Sequence, residues 1–537
     1  MLGALRRPVP LATAAGLAAA LALALACGRG AKTPDITSPP GPPESTPPPP
    51  VTPPPPPPPV TSRAPARVTE HHGGPRRDGL YIDGAFTRSA VGGLFLDPSF
   101  AAPLDGPIVA QLLFVAGVDG RDLVIAASAN NEVVAFDADG GGRVWARVLA
   151  DALPRSAIPC SNLDPVGVTG TPIADVASGT LYVAALTSPD GGMTKRHLVF
   201  ALSLADGSDR SGWPVAIGEL LRARGLPFDD EFENQRGALA LAGGFLYLPF
   251  GGHNQECGDF RGVVAAVPVA DPAAATAYMT GSVGGGIWAP SGVAVADGRV
   301  YAATGNTYGA STWTGGEAVL QFPAGAPLGP APADAFIPAD WQDLDLEDLD
   351  VGSSGTVIVD VPGATPSALI VAMGKDGKIY LLDRASLGGL GGALAVEKVV
   401  RGPIIDAAAA YTTTRGTYVV FRSLGGAVGC PDGGRGSLVA IRISPTAPPQ
   451  PSVAWCAEEV GLNAPIVTTS DGQSDAVVWS VAAGGDGRLH AYDGDTGEIV
   501  YSPHDGLGGV RKFHAPIVAG GRLFVGTDVG VKAFRVP

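Results

Sequence analysis

Between residues 123 and 536 one pair of short apolar strands recurs eight times. Its first member reads Leu123–Ala126, Leu181–Ala184, Leu246–Leu248, Val300–Ala303, Leu369–Ala372, Tyr418–Phe421, Val477–Ser480 and Leu523–Gly526. The second follows a polar or glycine-rich turn, as Val133–Asp137, Leu198–Leu202, Val263–Val267, Val319–Phe322, Ile379–Asp383, Leu438–Ile441, Leu489–Asp493 and Val531–Phe534. Strand pairs repeating every few tens of residues demand stacked or radial β units.

A four-strand unit can be drawn around most pairs. First strands are expected where proline precedes a β-branched residue, at Pro107-Ile108, Pro172-Ile173, Pro403-Ile404, Pro465-Ile466 and Pro516-Ile517. Fourth strands are expected at Val144–Ala146, Ala395–Val400, Val453–Trp455 and Ile499–Tyr501, while those of units two to four are left open. The eighth pair ends at Val536-Pro537 with nothing left for its fourth strand, and Gly93–Asp97 is a strand-like run without a unit. Joining the two closes a ring and removes two exposed sheet edges. The expectation is an all-β, eight-bladed propeller of four-stranded antiparallel blades, closed by an N-terminal strand.

In that topology, loops between second and third strands share a face with loops between blades. The long insertions, 150–166, 187–197, 217–236, 252–262, 306–317, 341–352 and 424–437, fall in these two classes. One face is therefore elaborated, and binding is expected there.

The N-terminus reads as an export signal over 1–26: Arg6-Arg7, an apolar run from Leu11, and Ala24-Leu25-Ala26 directly before Cys27. Cys27 is the expected lipidation site, giving membrane attachment through a lipid anchor, with an outer membrane favoured. Residues 27–68 form a tether whose proline-rich core, Ser38 to Pro65, would extend about 90 Å as polyproline II. The propeller is expected over 69–537. Cleavage after Ala26 would shift the net charge from −15 to −17, which argues against nucleic acid as a partner.

Four cysteines remain, and an even number in an exported chain points to disulfides. Three connectivities can be drawn. Cys430 with Cys456 is expected because both belong to one blade, leaving Cys160 with Cys257 on the elaborated face. Each bridge would contribute about 2–4 kcal/mol. The seven histidines show no ligand spacing, so His71-His72 and His490 are expected on the surface or in blade packing rather than on zinc.

The run Gly487–Glu498, with Glu132–Gly140 and Gly374–Asp383, resembles the repeat of the quinoprotein (PQQ-type) propellers over roughly residues 90–537. That family includes alcohol dehydrogenases and the lipoprotein scaffold of outer-membrane β-barrel assembly. The resemblance implies a quinone stacked on Trp288 and calcium ligated by Glu256, Asn306 and Asp340, with Asp340 or Asp343 as catalytic base. The chain departs from the enzymes: no two cysteines are adjacent and no Cys-x-x-Cys-His haem site occurs. The favoured expectation is a non-catalytic scaffold without cofactor that binds a protein partner. The alternative is a calcium- and PQQ-dependent alcohol or sugar dehydrogenase.

Overall fold

The computed structural model describes residues 67–537. The expected export signal, the expected lipidation at Cys27 and nearly all of the expected tether lie outside the described residues. Eight antiparallel sheets follow one another along the chain, each running from an inner to an outer strand. Blade 1 comprises Leu113–Val118, Arg121–Ala127, Glu132–Asp137 and Arg143–Val148. The fourth strands left open in the sequence are Val215–Ala216, Thr276–Met279 and Asp334–Ile337 in blades 2 to 4. The ring closes as expected: Phe95–Leu96 pairs antiparallel with Gly530–Arg535, placing Phe95 opposite Arg535 and Leu96 opposite Phe534.

Two expected first strands are corrected. Blade 1 begins at Leu113 rather than Pro107, and blade 6 at Ala409 rather than Pro403. Ile108 and Ile404 are fully buried, but in loops, so apolar burial there mimicked a strand. The carbonyls of Pro107 and Pro403 instead accept the N–H groups of Ala129 and Leu424, tying one loop to the next.

Cores lie between blades. Leu123, Ile125 and Trp145 of blade 1 pack with Val183 and Phe200 of blade 2, and the pattern repeats around the ring. The fourth-strand tryptophans dock on the turn before the next blade's outer strand: Trp145 Nε1 donates to Leu204 O and Trp455 Nε1 to Gly494 O, each at 2.8 Å. Gly207 and Gly497 take left-handed backbone there, and a Cβ at either would lie within 2.7 Å of the indole.

The disulfides are Cys430–Cys456, inside blade 6, and Cys160–Cys257, joining the loop before blade 2 to a loop of blade 3. Disulfide bonding of this kind marks an exported protein. Among the described residues, no helix is long and apolar enough to cross a membrane.

The channel along the ring axis holds residues 68–83. Each blade's inner strand has one free edge facing the axis, with backbone donors and acceptors that need partners. The N–H groups of Phe114, Ala174, Val295, Ile358, Ala410 and Val467 donate to the carbonyls of Val68, Thr69, Pro75, Arg76, Asp78 and Gly79 at 2.7–3.0 Å. Blade 3 is joined through Arg77 Nη2 to Leu239 O, and blade 8 through Gly521 N–H to the Asp83 carboxylate. One segment therefore touches all eight blades. His71 and His72 lie here, stacked at 4.4 Å and buried on the axial segment, which corrects the expectation of a surface or blade-packing role. A Pro- and His-containing stretch beside the tether has no strand periodicity to announce this role.

Candidate functional site

The loops of the elaborated face surround an axial depression above this segment. Its first lobe, about 400 Å³, is lined by Arg236, Glu256, Trp288, Asp348, Lys375 and Phe513, with apolar wall from Leu424 and Ile405. Trp288 comes from the loop between blades 3 and 4, Glu256 from within blade 3, and Lys375 from the tight turn inside blade 5. Several separate insertions converge on one place.

Asp350 is the hub. Its Oδ2 accepts Trp288 Nε1–H at 2.9 Å and lies 2.8 Å from Lys375 Nζ, while its Oδ1 accepts the Asn306 N–H at 2.8 Å. Lys375 also pairs with Asp348. Burial works against the Lys375 charge, but the two carboxylates raise its pKa overall. The Tyr308 hydroxyl donates to Glu256 at 3.1 Å. Burial, then repulsion from Asp350 and Asp348, pushes the Glu256 carboxyl up. Glu317 is fully buried behind Asp350 and accepts the Val351 N–H at 2.8 Å; burial and then the Asp350 charge push it up to about 9.

The helix Trp341–Glu347 braces this arrangement. Asp345 is buried and accepts N–H groups from Thr307, Gly309 and Ala310, holding the loop that carries Asn306. Asp340 sits at the N-terminus of the same helix but is drawn away: Lys378 Nζ holds it at 2.7 Å. Asp340 and Asp343 line an adjoining groove that shares Lys375 with the first lobe but contains neither Glu256 nor Trp288. The structure thus brings Glu256 to Trp288, and Asn306 through its backbone to Asp350, but not Asp340 to either. That arrangement does not fit a cation held by Glu256, Asn306 and Asp340 together. Among the described residues, no group of three or more His, Cys, Asp or Glu could hold a metal ion.

Sequence reasoning missed Asp350, Lys375, Arg236 and Phe513. One backbone signal singles out the place. Eleven described non-glycine residues have positive φ, and Glu256, Tyr308, Glu317, Asp348 and Phe513 are five of them. Bulky residues held in that region are strained, and such strain concentrates at binding and catalytic sites.

No protein-family profile and no curated protein sequence matches the chain. Solved structures do. A quinohemoprotein alcohol dehydrogenase from Pseudomonas putida HK5 is similar with TM-score 0.62 at 14% identity, covering 88% of this chain and 80% of that one. The quinohemoprotein alcohol dehydrogenase from Comamonas testosteroni gives 0.57 at 14% identity over the same shares. BamB from Moraxella catarrhalis gives 0.46 at 12% identity, covering 82% and 97%. The two dehydrogenase likenesses bear on the fold alone and agree with the eight-bladed β-propeller described above.

Proposed function

We propose that this protein is an exported, lipid-tethered propeller that binds a protein partner through its loop-rich face and uses no cofactor. The observation that supports this most is the gathering of long, braced insertions on one face, with the Cys160–Cys257 bridge stapling two of them. Met193 and Leu346, large apolar side chains on these insertions, are about four-fifths exposed, at 80% and 76%. The sequence Ala24-Leu25-Ala26-Cys27 and the proline tether support attachment at a distance from a membrane.

Photo-crosslinking in the producing cell tests the reading. Crosslinkers at Met193, Leu346 and Leu424 should trap one recurring protein, whereas Asp119 and Ser178, on hairpins of the opposite face, should not. Equal trapping from both faces would sink it. Cys27→Ser should move the protein from the detergent phase to the aqueous phase; unchanged partition would remove the lipid anchor. The dehydrogenase reading draws support from Glu256 and Trp288 sharing one lobe. Titration with PQQ and Ca²⁺ separates the two, because saturable spectral change with alcohol-dependent dye reduction would replace the scaffold by the enzyme.

A further inference from the structure

The axial depression has a second lobe, of about 360 Å³, which shares Arg236, His253, Asn254 and Phe513 with the first but not Trp288, Glu256 or Lys375. Its wall is apolar at Val109, Leu163, Val166 and Val510, and its rim carries amide groups at Asn162 and Asn234. Its charged lining is Arg236, Arg511 and Lys512, with no carboxylate among the lining residues. The sign of this lining is opposite to the chain's net charge of −15.

Arg511 is already held, Nε and Nη2 reaching Asp528 at 2.5 and 2.8 Å. Arg236 is different. Its guanidinium carbon lies 3.7 Å from the centroid of the Phe513 ring, and Nη2 is buried without any hydrogen-bond partner. Phe513 adopts φ 68°, a left-handed conformation that a phenylalanine holds only under constraint, and its ring forms the platform for the guanidinium. The carboxylate that acts on Arg236 most is Asp406, yet the two groups form no hydrogen bond with each other, and Arg422 and the Asn463 backbone also act on Asp406. Burial pushes Asp406 up to about 7, which leaves it only part-ionised at neutral pH. A buried N–H without an acceptor is a standing cost that an anionic guest removes. His253 Nε2, on the same lining, is also buried without a partner.

We propose that this lobe binds a small organic carboxylate, its charged end on Arg236 and Lys512 and its apolar body against Val109, Leu163, Val166 and Val510. The carboxylate can belong to a free acid or to the C-terminus of a polypeptide, since both present the same group to a guanidinium. The inference goes beyond the partner-binding reading and does not depend on it.

Calorimetry and thermal melting of the full chain with benzoate, N-acetyl-leucine and N-acetyl-leucinamide provide the test. The two carboxylates should bind saturably and raise the melting temperature, and the amide should do neither. Tighter binding of N-acetyl-leucine identifies a chain terminus as the guest; tighter binding of benzoate identifies a free acid. Arg236→Gln should weaken binding at least about tenfold, as expected for loss of a charge-assisted bond. Lys512→Gln changes an exposed side chain, so it keeps the fold and should still weaken binding measurably. The proposal is overturned if neither carboxylate binds, if the amide binds equally well, or if Lys512→Gln and a folded Arg236→Gln both keep wild-type affinity.

Discussion

Arg77 is fully buried, and its guanidinium spends its donors on five acceptors: Glu70, and the carbonyls of His71, Gly74, Leu239 and Val293. Two of those carbonyls belong to blades 3 and 4, so a single side chain pins the axial segment to its surroundings. Burial alone would lower the Arg77 pKa, and Glu70 at 2.8 Å opposes that loss. Arg77→Ala leaves the Glu70 charge and four carbonyls stranded, and unfolding in urea should show a loss of about 3–5 kcal/mol. Arg77→Lys should recover little of it, because one ammonium cannot span the same fork. A variant as stable as the parent would show the channel to be hydrated and forgiving. Individual residues of this kind are poorly legible in sequence. Trp288 and Glu256 stand out because the family repeat frames them, whereas Asp350 lies in an acidic run where Asp340, Asp343 and Asp345 look equivalent. Only the fold decides that Lys378 takes Asp340 and Lys375 takes Asp350.

Among elements, the strands were legible and the axial segment was not, for one physical reason. A blade strand alternates or runs apolar because it packs against two neighbours, which leaves a periodic trace. Residues 68–83 bond to the ring mainly through backbone carbonyls, and backbone groups leave no trace in residue type. Within it Leu80–Ile82 pairs as a short parallel strand with Ile466–Thr469 of blade 7, and Arg77 and Asp83 reach blades 3 and 8 with their side chains. The closing strand was found from a deficit, the missing fourth strand of blade 8, rather than from its own pattern. These two N-terminal elements make separable contributions. A chain beginning at residue 84 keeps Phe95–Leu96 and the closed ring but exposes eight inner edges to the channel. It should melt well below a chain beginning at residue 62 and become susceptible to proteolysis. Equal melting temperatures for the two would mean that water satisfies the inner edges as well as the segment does.

For the whole molecule, buried ionisable groups set how stability depends on pH. His72, His253 and His514 are held down to about 4 by burial, whereas Asp406 and Glu317 are pushed up to about 7 and about 9. Between pH 4 and 6.5 the two sets oppose each other: unfolding adds protons at the histidines and releases them at the acids. Above pH 7 the histidines are neutral in both states and drop out. Glu317 then keeps its proton in the folded protein and has lost it in the unfolded chain, so the folded state binds one more proton and stability falls as pH rises. Glu317 contributes at most one proton's linkage, on the order of 1 kcal/mol per pH unit, and the decline levels off as pH rises through its folded value. Glu233, also buried and raised by burial, acts with the same sign. Urea midpoints at pH 7, 8 and 9 should therefore decline, and Glu317→Gln, which retains the acceptor for the Val351 N–H, should flatten the decline by one proton's worth. An unchanged slope in that variant would mean that Glu317 is ionised in the folded protein. Asp350 would then need more counter-charge than Lys375 supplies, and the lobe around Trp288 would be a place that draws a cation.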